Sequence, residues 1–242
     1  MKFLSLTNRN MKEIYRDPLT LLLGMAMPLG LLFLFTSLFK NTQVNIFSPQ
    51  SLTPGIIVFS FAFIIMFSAI LLAKDKQTAI LTRLFTTPLS ATDFIVAYLI
   101  PFFPLAAIQT ATCFILGLLL GASYSQVLIA LVILFLVALT CISIGILLGS
   151  LFTVNQVSGI GSIFITVISL FSGAWMDLHM VGGVFKAIGY AMPFAHGIDA
   201  AKGIMAGNPV SEYAKSNLIV LAYALVFFVL AILAFRWRMK KE

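Results

Sequence analysis

The chain has 242 residues, of which 61% are hydrophobic and only 10% are charged, and its mean hydropathy is +1.08. Soluble domains carry about 25% charged residues, so this composition excludes an ordinary soluble domain and indicates an integral membrane protein. The formal net charge is +7, and its distribution along the chain indicates membrane topology and lipid contact rather than a nucleic-acid partner.

The first predicted element is an amphipathic helix over residues 2–16. At about 100° per residue its apolar side chains gather on one arc and its charged side chains on the opposite arc. The charged arc carries Lys2, Arg9, Lys12, Glu13 and Arg16. Such a helix lies in the plane of the lipid headgroups, and Asp17-Pro18 is expected to end it. Its exposed arc has two interpretations, a general membrane-surface anchor or a docking face for a partner protein.

Six apolar runs follow, each about 20 residues long and so able to cross roughly 30 Å of hydrocarbon as a helix. They cover approximately residues 19–39, 53–73, 94–120, 126–149, 158–175 and 216–235. The first run begins only after Arg16 and Asp17, and no Ala-x-Ala-like site follows it. We therefore expect it to be retained as a span rather than cleaved as a signal peptide.

An even number of spans places both termini on the same side of the membrane. Eleven Lys and Arg residues fall on that side and four on the other. The positive-inside rule then predicts a multi-pass protein of the cell membrane with both termini in the cytoplasm, and the basic excess favours contact with anionic lipid. The predicted fold is an all-α integral membrane protein in which residues 1–242 form one transmembrane domain.

Spans 2 and 3 are joined by a polar cytoplasmic connector, residues 74–92. Helical character is expected from Lys74 to about Thr86, and Pro88 stops it. The following Ser90-Ala-Thr-Asp93 matches a capping box in which Asp takes the place of the usual Glu. The connector is thus predicted to consist of a short helix, a sharp break and the capped start of the next helix. Such a connector would be stiff and able to transmit force.

No charged residue occurs over residues 94–176. Ion- and proton-coupled transporters generally place ionisable residues within their spans, so coupling energy is expected from outside the membrane and the path suits an apolar or amphipathic molecule. Pro101 and Pro104 predict a kink in span 3. Cys113 and Cys141 are expected to pack as small apolar residues rather than to form a disulfide.

Small residues recur at helix-packing spacing. Two GxxxG motifs occupy residues 117–121 and 145–149. Span 5 carries a similar stripe, formed by Ser158, Ser162, Thr166, Ser169 and Gly173. Such stripes permit close contact between helices, either within one subunit or between two copies of the chain.

An aromatic stripe runs along span 2, where Phe59, Phe63 and Phe67 recur at intervals of four. If this stripe faces the axis of a dimer, it offers a stacking surface for a hydrophobic drug or a lipid-like compound. The alternative is that these side chains face lipid.

Residues 176–215, between spans 5 and 6, are too long and too apolar for a plain loop. Short helices are expected at 184–190 and 198–205, dipping part-way into the outer leaflet as re-entrant elements. Backbone at that depth is tolerated only where it packs on protein.

In their order and spacing these features resemble the type-2 permease subunits of ATP-binding-cassette (ABC) exporters. The resemblance covers essentially the whole chain and rests on RDP at 16–18, TRLFTTPLS at 82–90, SG at 172–173, PF at 193–194 and DA at 199–200. One position departs from the family pattern, because an Asp stands at 177 where the family often has Pro, and the turn there is expected to differ.

The resemblance implies a dimer of permeases, either two identical chains or two paralogues, bound to two ATP-binding subunits. The residues expected at the ATPase contact are Arg9, Lys12, Glu13, Arg16, Asp17, Lys74, Asp75, Lys76, Arg83, Leu84 and Phe85. A substrate path walled by spans 2 and 5 is also implied, with Phe59, Phe63, Phe67, Ser162, Thr166 and Ser169 along it. No GxxxxGK[ST] phosphate loop occurs in the sequence, so ATP and magnesium are expected on the partner and no cofactor or metal on this chain.

The expected function is ATP-driven export of a hydrophobic or amphipathic drug, antibiotic or lipid-like compound by alternating access. Export of a glycan or lipid-linked polymer is the alternative within transport. A remote alternative is an intramembrane serine protease with Ser123 and His196, whose side chains would have to lie within hydrogen-bond reach. A zinc site is a further alternative, with the ligands Asp177, His179, His196 and Asp199. We interpret those four residues instead as a polar loop.

Overall fold

A computed structural model describes residues 2–42, 47–78 and 90–239. This part of the chain is helical and contains no β-strand. Its α-helices are α1 (Lys2–Tyr15), α2 (Pro18–Thr42), α3 (Pro49–Gln77), α4 (Ala91–Leu99), α5 (Phe102–Leu119), α6 (Val127–Leu151), α7 (Val154–Phe171), α8 (Leu178–Val181), α9 (Gly183–Tyr190), α10 (Pro193–Met205) and α11 (Ala214–Met239). A 3₁₀ turn, Val210–Tyr213, precedes α11.

The described residues contain six segments long and apolar enough to cross a membrane, as the sequence predicts. They are α2, α3, the pair α4 and α5, α6, α7 and the segment from the 3₁₀ turn into α11. Helix α3 extends four residues further at each end than the predicted span at 53–73. Its extension includes Lys74, Asp75 and Lys76, which the sequence analysis placed in the connector.

Helix α3 lies at the centre of the bundle. Its most apolar stretch is almost wholly buried, whereas α2, α7 and α11 are mostly exposed. It packs most extensively against α6, next against α7, and also against α2, α5 and α10. The outer faces of α2, α7 and α11 are therefore left for lipid or another chain.

The second GxxxG motif packs within the chain rather than on its surface. A Cβ atom added at Gly145 would lie 2.4 Å from the Ile65 carbonyl oxygen of α3, and one at Gly149 would lie 2.7 Å from the Ala69 carbonyl oxygen. At Gly117 an added Cβ would lie 2.7 Å from the Thr53 hydroxyl of α3. Contact within the subunit is therefore observed for the second motif and for Gly117 of the first, whereas an added Cβ at Gly121, beyond the end of α5, would meet nothing within 4 Å.

Span 3 is divided in two at its proline. Helix α4 ends at Leu99 and α5 begins at Phe102, so the break falls at Ile100-Pro101. Pro104 lies in the first turn of α5, where the missing backbone N–H has no partner to lose. The expected kink is therefore confirmed at the first proline, and the second causes no further break.

The capping box at the start of α4 is confirmed. The backbone N–H of Asp93 donates to Ser90 Oγ at 3.1 Å, and the backbone N–H of Ser90 donates to Asp93 Oδ2 at 3.1 Å. From residue 79 onward the predicted helix before it, with Pro88 and the candidate contact residues Arg83, Leu84 and Phe85, lies outside the described residues.

The segment between α7 and α11 contains three short helices where the sequence predicts two. Helix α9 matches the predicted helix at 184–190, but α10 begins at Pro193, five residues before the predicted start. Proline is well suited to the first turn of a helix because its φ angle is already helical. Pro193 therefore fits the first turn of α10. How deeply these helices enter a membrane stays a prediction.

Candidate functional site

A buried carboxylate near the end of α3 joins three helices. Asp75 is only 2% exposed, and it accepts hydrogen bonds from both Nη atoms of Arg9 on α1, at 2.7 Å for Nη2. The hydroxyl of Tyr98 on α4, which is fully buried, also donates to it. A carboxylate this deeply buried is costly unless it is paired and hydrogen-bonded, and here both conditions are met.

Helix α1 is fastened at the same place by a second polar contact. The fully buried Asn10 side chain donates from Nδ2 to the carbonyl oxygen of Ala97 on α4, at 3.2 Å. We call Arg9, Asn10, Asp75 and Tyr98 the elbow cluster. It ties α1 to α3 and α4, the two helices on either side of residues 79–89.

This geometry shifts the pKa values of two ionisable side chains of α1. The hydrogen bond to Asp75 raises the pKa of Arg9 above its usual range. Arg9 also pairs with Glu13 one turn on, at 2.6 Å. Burial raises the pKa of Glu13, and the neighbouring Arg9 partly opposes that shift. Arg9 therefore binds two carboxylates, one buried and one half-exposed.

Two of the predicted contact residues, Asp75 and Lys76, are bound within the chain, and their contact with a partner stays a prediction. Asp75 is buried in the elbow cluster. Lys76 is half-buried, and its Nζ donates to the carbonyl oxygens of Ser150 and Phe152 at 2.9 and 2.8 Å. Those carbonyls belong to the C-terminal end of α6, where a cation is favoured by the helix dipole. The sequence pattern of alternating charges gave no sign of which side chains turn inward.

The remaining predicted residues of this region that the structure describes stay accessible. Lys12, Arg16 and Lys74 are exposed, and Asp17 is half-buried. The Asp17 carboxylate accepts from the backbone N–H and the hydroxyl of Thr20, at 3.1 and 2.6 Å. These bonds hold the pKa of Asp17 below its usual value and cap the start of α2. Contact of these residues with a partner stays a prediction.

A cavity of about 600 Å³ opens beside the elbow cluster, between α2, α3 and α7. One face of α3 forms its wall, through Phe63, Met66, Phe67, Ile70, Leu71 and Lys74. These residues follow the spacing of a single helix face. The wall is apolar over most of its length, and four ionisable residues surround the mouth: Glu13, Arg16, Asp17 and Lys74. The cavity is therefore amphipathic, with its charges at one end.

The aromatic stripe of α3 lies inside the chain. Phe59, Phe63 and Phe67 are each at most 8% exposed. The Phe59 and Phe63 rings meet edge to face with centroids 5.7 Å apart, and Phe59 also meets Trp175 at 4.8 Å. In the isolated chain the stripe faces neither lipid nor the surface. Phe63 and Phe67 line the cavity instead.

The polar stripe of α7 behaves differently. Ser162 and Thr166 are exposed, and their hydroxyls donate to carbonyls of their own helix at 3.0 Å. Ser169 accepts from the Trp175 indole N–H at 3.0 Å. Within this stripe the cavity lining includes only Ser158. The structure thus brings two of the six predicted path residues together, Phe63 and Phe67, and leaves Ser162 and Thr166 on an outer face.

A second polar cluster occupies the opposite end of the chain, among α8, α9 and α10. The Tyr190 hydroxyl lies 2.7 Å from His179 Nε2 and donates to Asp199. Lys186 Nζ lies 2.9 Å from His179 Nδ1. We call these four residues the Tyr190 cluster. Burial and the neighbouring Asp199 raise the pKa of Tyr190.

Beside this cluster a half-buried lysine links two elements. Lys202 on α10 donates from Nζ to the carbonyl oxygen of Gly173, at 3.1 Å, just after the end of α7. Burial lowers the pKa of this ammonium. This link could not be predicted from the sequence, because a lone lysine among polar and apolar residues gives no indication that it turns inward.

The geometry does not favour the enzymatic alternative. Ser123 is exposed, and His196 Nε2 is 3.0 Å from the Tyr190 carbonyl oxygen. Among the described residues no hydrogen bond joins this serine to this histidine. Within the same residues no group of three or more His, Cys, Asp or Glu side chains is placed to hold a metal ion.

Comparison with known proteins supports a transport role. The sequence profile of the ABC-2 type transporter family matches residues 1–206. A protein described as a transport permease, ycf38 of Porphyra purpurea, is 33% identical over 140 residues, covering 54% of this chain and 48% of the relative. The transport permease YvfS of Bacillus subtilis is 22% identical over 231 residues, covering 91% of each chain. The aligned part of this chain spans about half the length of the Porphyra relative.

Proposed function

Because this chain belongs to the ABC-2 type transporter family, we propose that it is the membrane subunit of an ATP-driven exporter of a hydrophobic or amphipathic compound. Membership of the family implies a membrane location and a partner ABC ATPase. The substrate class, the outward direction and the orientation with cytoplasmic termini are our proposal. The observation that carries it is the amphipathic cavity beside the elbow cluster.

The cavity suits a molecule that is apolar along most of its length. Aromatic and aliphatic side chains of α3 form one wall, and Phe102 and Leu105 of α5 also line the cavity. Ligand sites of this kind combine mostly hydrophobic walls with a few polar groups that fix orientation. Phe63 and Phe67 are therefore our candidates for substrate contact.

The elbow cluster supports a mechanical role for the connector. A force applied to residues 79–89 or to the exposed face of α1 reaches α3 through Asp75, since that carboxylate is held by both α1 and α4. Helix α3 carries the cavity wall. Movement of this helix would open the cavity alternately to the two sides of the membrane, as alternating access requires.

The partner ATPase is proposed to contact the connector and the exposed charges near it. Arg83 supplies a polar contact there, with Leu84 and Phe85 as apolar ones, and Lys12 extends the surface onto α1. ATP and magnesium are bound by that partner, which is consistent with the lack of a phosphate-binding loop in this sequence. The connector follows directly after the helix turn that carries the buried Asp75, so a partner that moves the connector would move α3.

A second permease copy is proposed to cover the exposed faces that the isolated chain leaves on α2 and α7. Ser162 and Thr166 lie on this face of α7. Small hydroxyl residues let neighbouring backbones approach closely. In such a dimer these residues would lie near the interface or the path between the copies.

The test is transport by the complete complex, the permease with its partner ATPase, in sealed vesicles. Movement of chain-matched anionic, cationic and uncharged fluorescent amphipaths would be followed with and without ATP. We expect ATP-dependent movement of at least one probe by the wild-type complex. Its absence for all three probes, with ATP still hydrolysed, would reject the proposed substrate class.

The coupling role is tested by the double variant Arg83→Ala/Phe85→Ala in the same vesicles. We expect transport to fall about tenfold while ATP hydrolysis continues, because an interface residue in a well-packed contact contributes about 1–2 kcal/mol. Lys186→Ala, on α9 at the other end of the chain, is the control. Unchanged transport by the double variant would remove the connector from the mechanism.

A further inference from the structure

We propose that the cavity between α2, α3 and α7 selects an amphipath with an anionic headgroup. The inference deepens the proposed function and rests on it, since it names the charge of the compound that the same cavity takes. It follows from which charged groups at the mouth already have hydrogen-bond partners and which do not.

Both carboxylates at the mouth are already engaged. Glu13 pairs with Arg9 at 2.6 Å. Asp17 accepts two hydrogen bonds from Thr20, at 3.1 and 2.6 Å, as the cap of α2. A cationic headgroup would have to compete with these bonds, which are strengthened by the charge of the acceptor.

Both cations at the mouth have hydrogen-bond donors that are unused within the part of the chain that the structure describes, although Lys74 lies near enough to Glu13 and Asp17 to act on the pKa of both carboxyl groups. Arg16 and Lys74 are exposed, and neither side chain has an ion pair or hydrogen bond among those residues. Lys76, only two residues after Lys74, is by contrast bound to the end of α6. The mouth therefore presents two cations with unused donors, whereas both of its carboxylates already accept hydrogen bonds, and this favours a carboxylate or phosphate headgroup.

The apolar wall begins directly behind these cations. Lys74 and Phe63 are eleven residues apart on the same face of α3, which at a rise of about 1.5 Å per residue is about 16 Å. This is the length of an extended alkyl chain of about twelve carbons. A headgroup at Lys74 would thus place its tail along Leu71, Phe67 and Phe63.

The position of the charges also fits an approach along the membrane surface. The mouth lies where α1 ends and α2 begins, and α1 has the amphipathic pattern of a helix in the headgroup plane. An amphipath in the same leaflet has its charge at that level and its tail in the hydrocarbon. It would reach the cavity without its headgroup crossing the apolar region.

The experiment uses the full chain in nanodiscs of phosphatidylcholine and two photoreactive probes with the same twelve-carbon tail. One probe is a diazirine-bearing dodecanoate, and the other is the corresponding dodecyltrimethylammonium. Labelled residues are identified by mass spectrometry. We expect the dodecanoate to label the α3 face between Phe63 and Lys74 about tenfold more than the cation does, the scale of one charge-assisted hydrogen bond.

Variants then assign the selectivity to the two cations at the mouth. Arg16→Gln/Lys74→Gln should reduce dodecanoate labelling about tenfold and leave labelling by the cation unchanged. Arg16→Glu/Lys74→Glu should reverse the preference. Lys12→Gln is the matched control, because Lys12 is an exposed cation on α1, one turn before Arg16, and does not line the cavity. This variant should bind both probes as the wild type does.

The outcomes separate this inference from the function on which it rests. Equal labelling of the cavity by the two probes would overturn the anionic preference and leave the cavity as an amphipath site. Labelling by both probes elsewhere in the chain would overturn the cavity as the substrate path as well. Adding phosphatidylglycerol to the nanodiscs identifies the anion: loss of dodecanoate labelling points to a bilayer lipid as the occupant, and retained labelling to a compound preferred over lipid.

Discussion

The two polar clusters lie at opposite ends of the described chain and are built differently. The elbow cluster centres on a buried carboxylate and joins helices that are far apart in sequence, since Arg9 and Asp75 are 66 positions apart. The Tyr190 cluster is drawn from one segment, and within it His179 is exposed and Lys186 is half-buried. A buried link between distant elements is lost only when tertiary structure is lost, whereas an exposed local cluster exchanges readily with water. We therefore expect the end of the molecule at α1 to be rigid and the end at α8 to α10 to be more flexible.

The strongest test of this contrast is Asp75→Asn. It removes the charge that Arg9 and Tyr98 share, and breaking one side of a buried ion pair costs about 3–5 kcal/mol. Because the Arg9 side chain is 33% exposed, we expect a smaller loss of stability, about 2 kcal/mol. Thermal unfolding of the purified variant in detergent measures it. Asp93→Asn, in the exposed cap of α4, is the matched control and should lower the midpoint much less. Equal midpoints for the two variants would contradict a rigid elbow.

Tyr98→Phe removes only one of the hydrogen bonds to Asp75 and keeps the ring. We expect a loss of about 1.5 kcal/mol, the usual value for a buried hydrogen bond to a charged group. In a double-mutant cycle with Asp75→Asn the two losses should not add, because the residues are in contact. Full additivity in unfolding measurements would show that the two side chains act independently.

Tyr190→Phe makes the equivalent change at the other end. Because its partner His179 is exposed to solvent, we expect a loss below about 1 kcal/mol. The same unfolding assay provides the measurement, and the comparison with Tyr98→Phe is direct, since each variant deletes one hydroxyl bonded to an aspartate. A larger loss of stability for Tyr190→Phe than for Tyr98→Phe would reverse the assignment of the rigid and the flexible end.

Lys202→Met is expected to have the smallest effect at neutral pH and a distinct pH dependence. Burial lowers the pKa of Lys202 in the folded state below its usual 10.5. The unfolded chain then binds more protons between the two pKa values, so the wild type gains stability as pH rises through that window. The variant lacks this contribution. Parallel pH profiles for the unfolding midpoints of wild type and variant would contradict a buried ammonium.

Several local features could be predicted from the sequence because they depend only on neighbouring residues. The capping box of Ser90 and Asp93, the break at Pro101 and the end of α1 before Pro18 are of this kind. The early start of α10 was missed for a related reason, since Pro193 fits both a break and a first helical turn. Here local chemistry permits two outcomes, and packing selects one.

The candidate site was predicted only in part. The helix face from Phe63 to Lys74 is visible as a spacing, but the sequence does not show that it borders a cavity. The apolar sequence around Tyr98 was the available signal for the elbow cluster, because buried polar groups need partners. Naming those partners requires knowing which helices are neighbours, and nothing in the local pattern around these residues contains that information.

Composition and periodicity alone determined that this protein crosses a membrane with six helices, because each helix satisfies its own backbone hydrogen bonds and its apolar length matches the bilayer. Tertiary structure alone decided that Asp75 and Lys76 turn inward, that the second GxxxG motif serves contacts within the chain, and that Phe63 and Phe67 face a cavity. The physical reason is that helix formation is local, whereas the partner of a buried charge and the neighbour of a glycine lie on another helix, and pairing of helices depends on the whole set of packing surfaces.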